Sequence, residues 1–289
     1  MRHVRRVLAA LLFFIGVVYA GAIGLLWANE SRIVYRTSWT RSWAPLNAPF
    51  SPVTVSSTDG LELDAVRVEH PSTSPGARLP ADGGRYWLLF FNGAASSIHR
   101  GRYREQYQQL YDAGYNVFSI DYRGFGRNAG TPSEAGVYAD AAAAYAYLTG
   151  THGVDPSRVI LAGRSLGSAV AVDLATRVRN GGVLLLSPID SVPAVGARLY
   201  PWAPVRLLAS NQFDSLSKIG RVASPTLIVH ARNDRFVPVD VGRALFAEAA
   251  GRKRMLETGG GHNSAGFSPF VELAEAMASF WPVAAPPVE

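Results

Sequence analysis

The chain has 289 residues, 48% of them hydrophobic, and no cysteine. That length buries a full core, as one large α/β domain or two small ones, and the lack of cysteine excludes both a disulfide framework and a thiolate metal site. The net charge is +6, but Arg2, Arg5 and Arg6 at the extreme N-terminus supply half of it, and the excess after them is too little for a basic nucleic-acid face.

Residues 1–6 form a basic N-terminus, and from Val7 to Ala28 no residue is charged. As a helix that stretch rises roughly 33 Å, against a hydrocarbon core of about 30 Å, so it is expected to be a transmembrane anchor. A cleaved signal peptide is the rival, because Ala20-Gly21-Ala22 resembles a small-residue cleavage site, yet the apolar run continues through Ile23, Leu25, Leu26 and Trp27. The arginines before the span predict a cytoplasmic N-terminus in the cell membrane, with the rest of the chain on the extracytoplasmic side. Trp27, Tyr35, Trp39 and Trp43 follow; their rings suit the headgroup zone and suit packing on the domain equally.

Residues 29–50 read as a polar, proline-containing connector. "VTVSSTDGLELDAVRV" then alternates as two antiparallel strands around Asp59-Gly60, a favoured hairpin turn. Residues 70–84, rich in Pro, Ser and Gly, read as a surface loop. From Arg85 onward short apolar strands alternate with helical stretches: "YWLLFF" then 102–113, "VFSI" then 133–149, "VILA" then 165–179, "VLLL" then an excursion at 191–218, "TLIVHA" then 239–250, "RMLE" then 267–280. Strands apolar on both faces and separated by helices describe a mostly parallel sheet covered on each side. The alternation is unbroken, so residues 51–282 are expected to form one domain, followed by a tail at 283–289. In such sheets ligands bind beyond the carboxyl ends of the strands.

At one of those ends the sequence reads "VILAGRSLGSAVAVDLA", 159–175. A Gly-x-Ser-x-Gly match is weak evidence by itself, but here it joins a buried strand to a helix, the context of a nucleophile elbow. A strand turning at once into a helix strains the serine backbone, and a Cβ two residues to either side would strike the neighbouring strand or helix, which accounts for Gly163 and Gly167. The turn lifts the Ser165 hydroxyl to a helix N-terminus that favours negative charge. An ordinary serine N-cap is the bland alternative.

A serine hydroxyl needs a base, and the base needs an orienting carboxylate. His262 lies in the glycine-rich loop "GGGHN" after the last strand, and Asp234 lies past "TLIVHA"; the order Ser, Asp, His is the one this fold uses. Asp190, after the preceding strand, is the rival acid. The developing oxyanion needs donors, which the backbone N–H groups of Leu166 and of Ala94, in the loop "NGAASS", are placed to supply.

At this point "DYRGFGRNAGTPSEAGVYAD" (121–140), "GRSLGSAVA" (163–171), "YPWAPVRLLASNQFDSLSKI" (200–219), "NDRFVP" and "GGGHN" together make the chain resemble an α/β-hydrolase, and within that superfamily the membrane-anchored Bem46-like group, related to eukaryotic protein depalmitoylases. The stretches cover most of residues 52–281. The resemblance implies an α/β-hydrolase fold with a mostly parallel central sheet, helices on both faces, an antiparallel N-terminal hairpin and a short cap. It carries Ser165, Asp234 and His262 over as a triad and Ala94 and Leu166 as oxyanion donors, and makes the turn Asp121-Tyr122-Arg123-Gly124 mainly structural. One departure stands out: relatives often have His-Gly at the oxyanion loop, where this chain has Asn92-Gly93. The donor is a backbone N–H, so activity is expected to survive.

The expected reaction is hydrolysis of a carboxylic ester or thioester through an acyl-enzyme, with no metal or organic cofactor and no nucleic acid partner. Valines and leucines of the excursion, from Val192 to Leu208, suit an acyl-binding cap and suit packing on the sheet equally. A serine peptidase of the prolyl-oligopeptidase type and a catalytically silent binding protein on the same scaffold are the other readings.

Overall fold

The structure is a computed structural model of the chain, and residues 2–40, 46–71 and 85–282 are described. Trp43, most of the predicted loop at 70–84 and the tail at 283–289 lie outside the described residues. The strands are β1 (Phe50–Ser56), β2 (Glu62–Val68), β3 (Trp87–Phe91), β4 (Asn116–Ile120), β5 (Val159–Arg164), β6 (Gly182–Leu186), β7 (Thr226–Ala231) and β8 (Lys253–Thr258). The helices are α1 (Arg2–Ala28), α2 (Glu30–Tyr35), α3 (Gly101–Asp112), α4 (Glu134–Ala146), α5 (Leu166–Ala175), α6 (Val192–Leu199), α7 (Val205–Leu208), α8 (Leu216–Ile219), α9 (Val239–Glu248) and α10 (Val271–Phe280).

The strands form one eight-stranded sheet in the order β1-β2-β4-β3-β5-β6-β7-β8. From β4 to β8 every pairing is parallel, whereas β2 runs antiparallel to both β1 and β4. The antiparallel opening is the hairpin expected around Asp59-Gly60: Gly60, at φ 83°, donates its N–H to the Ser57 carbonyl at 2.9 Å, and Ser57 donates to Leu61 at 2.8 Å.

Both faces of β3 to β7 are buried, as their continuous apolar runs require, whereas the edge strand β8 is only partly covered. Leu89 and Phe91 of β3, Leu161 of β5 and Leu185 of β6 point to one side, where α4, α5 and α9 pack with Val137, Val170 and Leu245. Their neighbours Leu88, Phe90, Ile160 and Leu184 point to the other, against Tyr107 and Leu110 of α3 and Met277 of α10. Alternation along each strand thus feeds two separate apolar layers.

The stretch read as a connector is integral to the domain in its described part. Tyr35, at the end of α2, is fully buried between the rings of Phe125 and Phe213 and donates its hydroxyl to Asn211 Oδ1 at 2.6 Å. Thr40 is buried too, and its hydroxyl accepts the Gly126 N–H at 2.9 Å. Of the aromatic residues left undecided by sequence, Tyr35 packs on the domain, while Trp27 and Trp39 are 62% and 63% exposed. Helix α1, of 27 residues, has no buried residue and is long and apolar enough to cross a membrane.

Candidate active site

The loops after β3, β5, β7 and β8 leave the same end of the sheet, and they converge on Ser165. The elbow is as tight as its glycines suggest. Ser165 has φ 51° and ψ −119°, a strained conformation for a residue with a side chain. A Cβ on Gly163 would lie 2.1 Å from the Gly167 carbonyl oxygen, and a Cβ on Gly167 would lie 2.1 Å from the Phe91 carbonyl oxygen. Only glycine lets α5 start this close to β5 and to β3.

His262 reaches both of its expected neighbours. Its Nε2 is 2.9 Å from Ser165 Oγ, and its Nδ1 is 2.7 Å from Asp234 Oδ2. The imidazole is held by the turn after β8, where Gly261 donates its N–H to Ser264 Oγ at 3.0 Å, and by Phe236, whose ring meets it edge-on at 4.9 Å. Gly260 sits at φ 82°, and a Cβ there would press on Ser264 Oγ at 2.6 Å. Asp190, the rival acid, is occupied elsewhere: Arg198 pairs with its carboxylate and the Ser191 N–H donates to Oδ1 at 2.9 Å.

Asp234 is 6% exposed, and its Oδ1 accepts the N–H groups of Phe236 and Val237, each at 2.9 Å. Burial pushes this carboxyl up, but hydrogen bonds from His230 and His262 and from the Val237 N–H outweigh it and hold Asp234 well below the usual carboxylate range. It is therefore ionised at neutral pH, as an orienting acid must be.

Two positioning residues escaped the sequence reading. His230, fully buried on β7, has its Nε2 2.9 Å from the Val237 carbonyl oxygen and 3.4 Å from Asp234 Oδ2, so it ties both ends of the acid loop to the strand. Its spacing of four residues before Asp234 was the available signal. Arg164, immediately before the serine, is 1% exposed; its Nη1 donates to the Asn263 carbonyl, and its guanidinium lies 5.1 Å from the Phe267 ring centre. Burial pushes its pKa down to about 10, and Nε and Nη2 have no hydrogen-bond partner among the described residues. It clamps the histidine loop from below.

The loop after β3 passes over the serine. Gly93 is so close that a Cβ there would lie 3.3 Å from the Ser165 Cβ, and Ala94 and Leu166 line the same cleft. Leu166 opens α5, so its N–H belongs to the first turn, whose donors have no intrahelical acceptor. The departure at Asn92 is structural: its side chain turns away into the sheet, where Nδ2 donates to Tyr107 Oη at 2.7 Å and Oδ1 accepts from that same hydroxyl at 2.9 Å. The turn after β4 braces the loop from beyond. Asp121 accepts from Ser97 Oγ at 2.7 Å and from the Ile98 N–H at 2.9 Å, and Tyr122 donates to the Asn92 carbonyl at 3.1 Å. Arg123 pairs with buried Asp140 and with Asp59, stapling the hairpin turn to α4.

The excursion after β6 forms a cap. Val192, Val195 and Leu199 line a cleft of about 490 Å³ together with Ser165, His262 and Ile33 and Val34 of α2. Arg36, Arg100, Arg102 and Arg164 line it as well, and among its described lining residues none is Asp or Glu.

The family described as "Serine aminopeptidase, S33" matches residues 85–217, which include Ser165 but neither Asp234 nor His262. Human alpha/beta hydrolase domain-containing protein 17B is 33% identical over 213 residues, 70% of this chain and 71% of that protein. The chain belongs to the α/β-hydrolase superfamily. An uncharacterized protein of Mycobacterium tuberculosis is similar to this hydrolase over 254 residues, 86% of each chain, at 36% identity. Among solved structures, an alpha-beta hydrolase from Vibrio vulnificus superposes with a TM-score of 0.70 at 21% identity, covering 87% of this chain and 92% of its own. An esterase from Pyrococcus furiosus gives 0.66 at 17% identity, with 83% and 94% covered. These two likenesses establish the fold.

Proposed function

We propose that this hydrolase is a serine esterase or thioesterase acting through an acyl-enzyme. The observation that carries the reading is the bridge made by His262, within hydrogen-bond distance of Ser165 Oγ on one side and Asp234 on the other. In the forward step His262 Nε2 takes the Ser165 proton as Oγ attacks the acyl carbon, and Asp234 holds the Nδ1–H and balances the imidazolium. The N–H groups of Ala94 and Leu166 receive the oxyanion. His262 then gives its proton to the leaving alcohol or thiol, and afterwards activates the water that releases the acid.

The cleft chemistry favours an apolar acyl group. Val192, Val195, Leu199, Ile33 and Val34 give it greasy walls, and Arg36, Arg100 and Arg102, which also line it, suit a neutral or anionic leaving group. A peptide substrate is the second reading, because the matching family is described as an aminopeptidase. Cleaving from a free N-terminus requires a partner for a cationic amine, and the described cleft lining offers arginines instead. Helix α1 would anchor the enzyme, with Arg2, Arg5 and Arg6 on the cytoplasmic side and the hydrolase domain outside.

A panel of acyl esters, acyl thioesters and aminoacyl amides of graded length tests the proposal. Turnover of the esters or thioesters is expected, falling on the order of a million-fold in kcat for Ser165→Ala. Turnover of the aminoacyl amides alone would favour the peptidase.

A further inference from the structure

The cap does not stand clear of α1. Tyr19, in the middle of that helix, donates its hydroxyl to the Trp202 carbonyl at 3.0 Å, and the two rings meet edge-on at 6.3 Å. Tyr19 lies nine residues before Ala28, where the uncharged stretch ends, a distance of roughly 13 Å along the helix axis. If α1 crosses a bilayer, its last turns are in hydrocarbon, and a cap that touches it at Tyr19 is at the same depth.

The cap is dressed for that setting. Between Leu199 and Leu208 the one charged residue is Arg206, and Leu199, Trp202, Leu207 and Leu208 are exposed, Leu207 at 86%. An exposed cluster of large apolar side chains marks an interaction site, and the long Arg206 side chain is able to reach back to the interface. Exposed Trp27 and Trp39 stand at the polar end of α1, where indole rings favour the headgroup level.

Between α1 and the cap runs a narrow apolar crevice of about 80 Å³, walled by Ile23 and Leu26 of α1 and by Val205 and Leu208 of α7. Ile33, Val34, Val192, Gly196 and Tyr200 line both this crevice and the cleft that holds Ser165. Glu30 at its edge remains a carboxylate, but its oxygens are taken up by the N–H groups of Ser210 and Asn211 at 3.0 and 2.8 Å and by the Asn211 side-chain amide at 2.9 Å.

We propose that the α6–α7 cap lies in the outer leaflet of the bilayer beside α1, and that the acyl chain of a membrane-resident lipid ester reaches Ser165 sideways through the crevice between α1 and the cap. This rests on the ester-hydrolase reading and on α1 as the anchor, and it commits the substrate to one drawn from the membrane instead of from water.

The native lack of cysteine makes the test direct. Full-length protein carrying Leu207→Cys, spin-labelled and reconstituted in phosphatidylcholine vesicles, is probed with oxygen and with a water-soluble nickel chelate. Asp240→Cys, whose native side chain is 79% exposed and charged, serves as the aqueous control. The label at 207 is expected to collide with oxygen and be shielded from nickel, opposite to the control; nickel access equal to the control overturns the proposal. The crevice is tested with Ala209→Trp and Ala203→Trp, at residues that line the crevice on the cap side and not the cleft around Ser165. Each is expected to slow a vesicle-borne long-chain ester at least tenfold and a water-soluble butyrate ester less than twofold. Equal losses on both esters, or none on the vesicle-borne one, overturn the passage. If wild type hydrolyses neither ester, the ester reading has failed, and the spin label still decides where the cap lies.

Discussion

The Tyr35 carbonyl accepts the Ala95 N–H at 3.0 Å. That single bond ties the segment following α1 to the loop that passes over Ser165, and Ala95 itself sits at φ 57°, a conformation that needs outside support. The stretch after α1, which lines the cleft with Ile33, Val34, Arg36 and Trp39, is therefore a wall of the site.

Two truncations separate α1 from this wall. Removing residues 1–28 is expected to leave kcat/KM for a short soluble ester within threefold of the full chain. Removing residues 1–40 strips out buried Tyr35 and Thr40; losing the buried aromatic alone costs about 3–5 kcal/mol. Activity is expected to drop at least tenfold and the melting temperature to fall. Equal behaviour of the two truncated proteins would contradict this role.

Gly163→Ala and Gly167→Ala each place a methyl 2.1 Å from a backbone oxygen. Neither neighbour is a flexible side chain, so the backbone must move, at a cost of several kcal/mol. Gly259→Ala, where a Cβ meets nothing within 4 Å, is the matched control. Thermal unfolding is expected to show large losses for the first two and little for the third.

Asp121 supplies a pH dependence. Burial pushes its carboxyl up to about 7, against the opposing pull of the Ser97 and Ile98 donors. An acid whose folded pKa lies above its unfolded value of about 3.9 favours folding most when protonated. Its contribution is full below about pH 4, declines as pH rises to about 7 and is constant above, a change of a few kcal/mol. Asp121→Asn is expected to flatten this part of a stability profile measured by urea unfolding between pH 4 and 8; an unchanged slope would remove Asp121 as its source.

His230→Leu keeps the bulk under α9 but deletes the group that ties Val237 and Asp234 to β7. With the acid loop less well held, kcat is expected to fall about 10-fold or more while KM stays within twofold, in line with about 1–3 kcal/mol for a buried polar partner left unsatisfied. A change confined to KM would place His230 in substrate binding instead.

Much of this architecture was legible because its causes are local. The elbow glycines, the Asp59-Gly60 hairpin and β7, which spans 226–231 as expected, each follow from a few adjacent residues. What escaped depends on partners distant in sequence. Polar residues 29–40 read as a connector because the acceptors of Tyr35 and the donors to Glu30 come from the region of Asn211. Asn92 looked like an altered oxyanion residue because its true partner, Tyr107, sits on α3. The antiparallel pairing of β2 with β4 leaves no mark in either strand. Helix α10 starts at Val271 and not at 267, since Phe267 turns inward to cover Arg164 and Pro269 follows it. The cap question was open in sequence, and both readings hold in part: Val192 and Val195 pack against the core and also line the cleft, while Leu207 is exposed.

We propose that His262 and Asp234 make an ordinary serine hydroxyl, that of Ser165, nucleophilic. Reaction of the full-length protein with a fluorophosphonate, followed by peptide mass spectrometry, reads that directly. One stoichiometric adduct is expected on Ser165, absent in Ser165→Ala and formed at least a hundredfold more slowly in His262→Ala. An unmodified Ser165 in folded protein, or an adduct rate indifferent to His262, would contradict it.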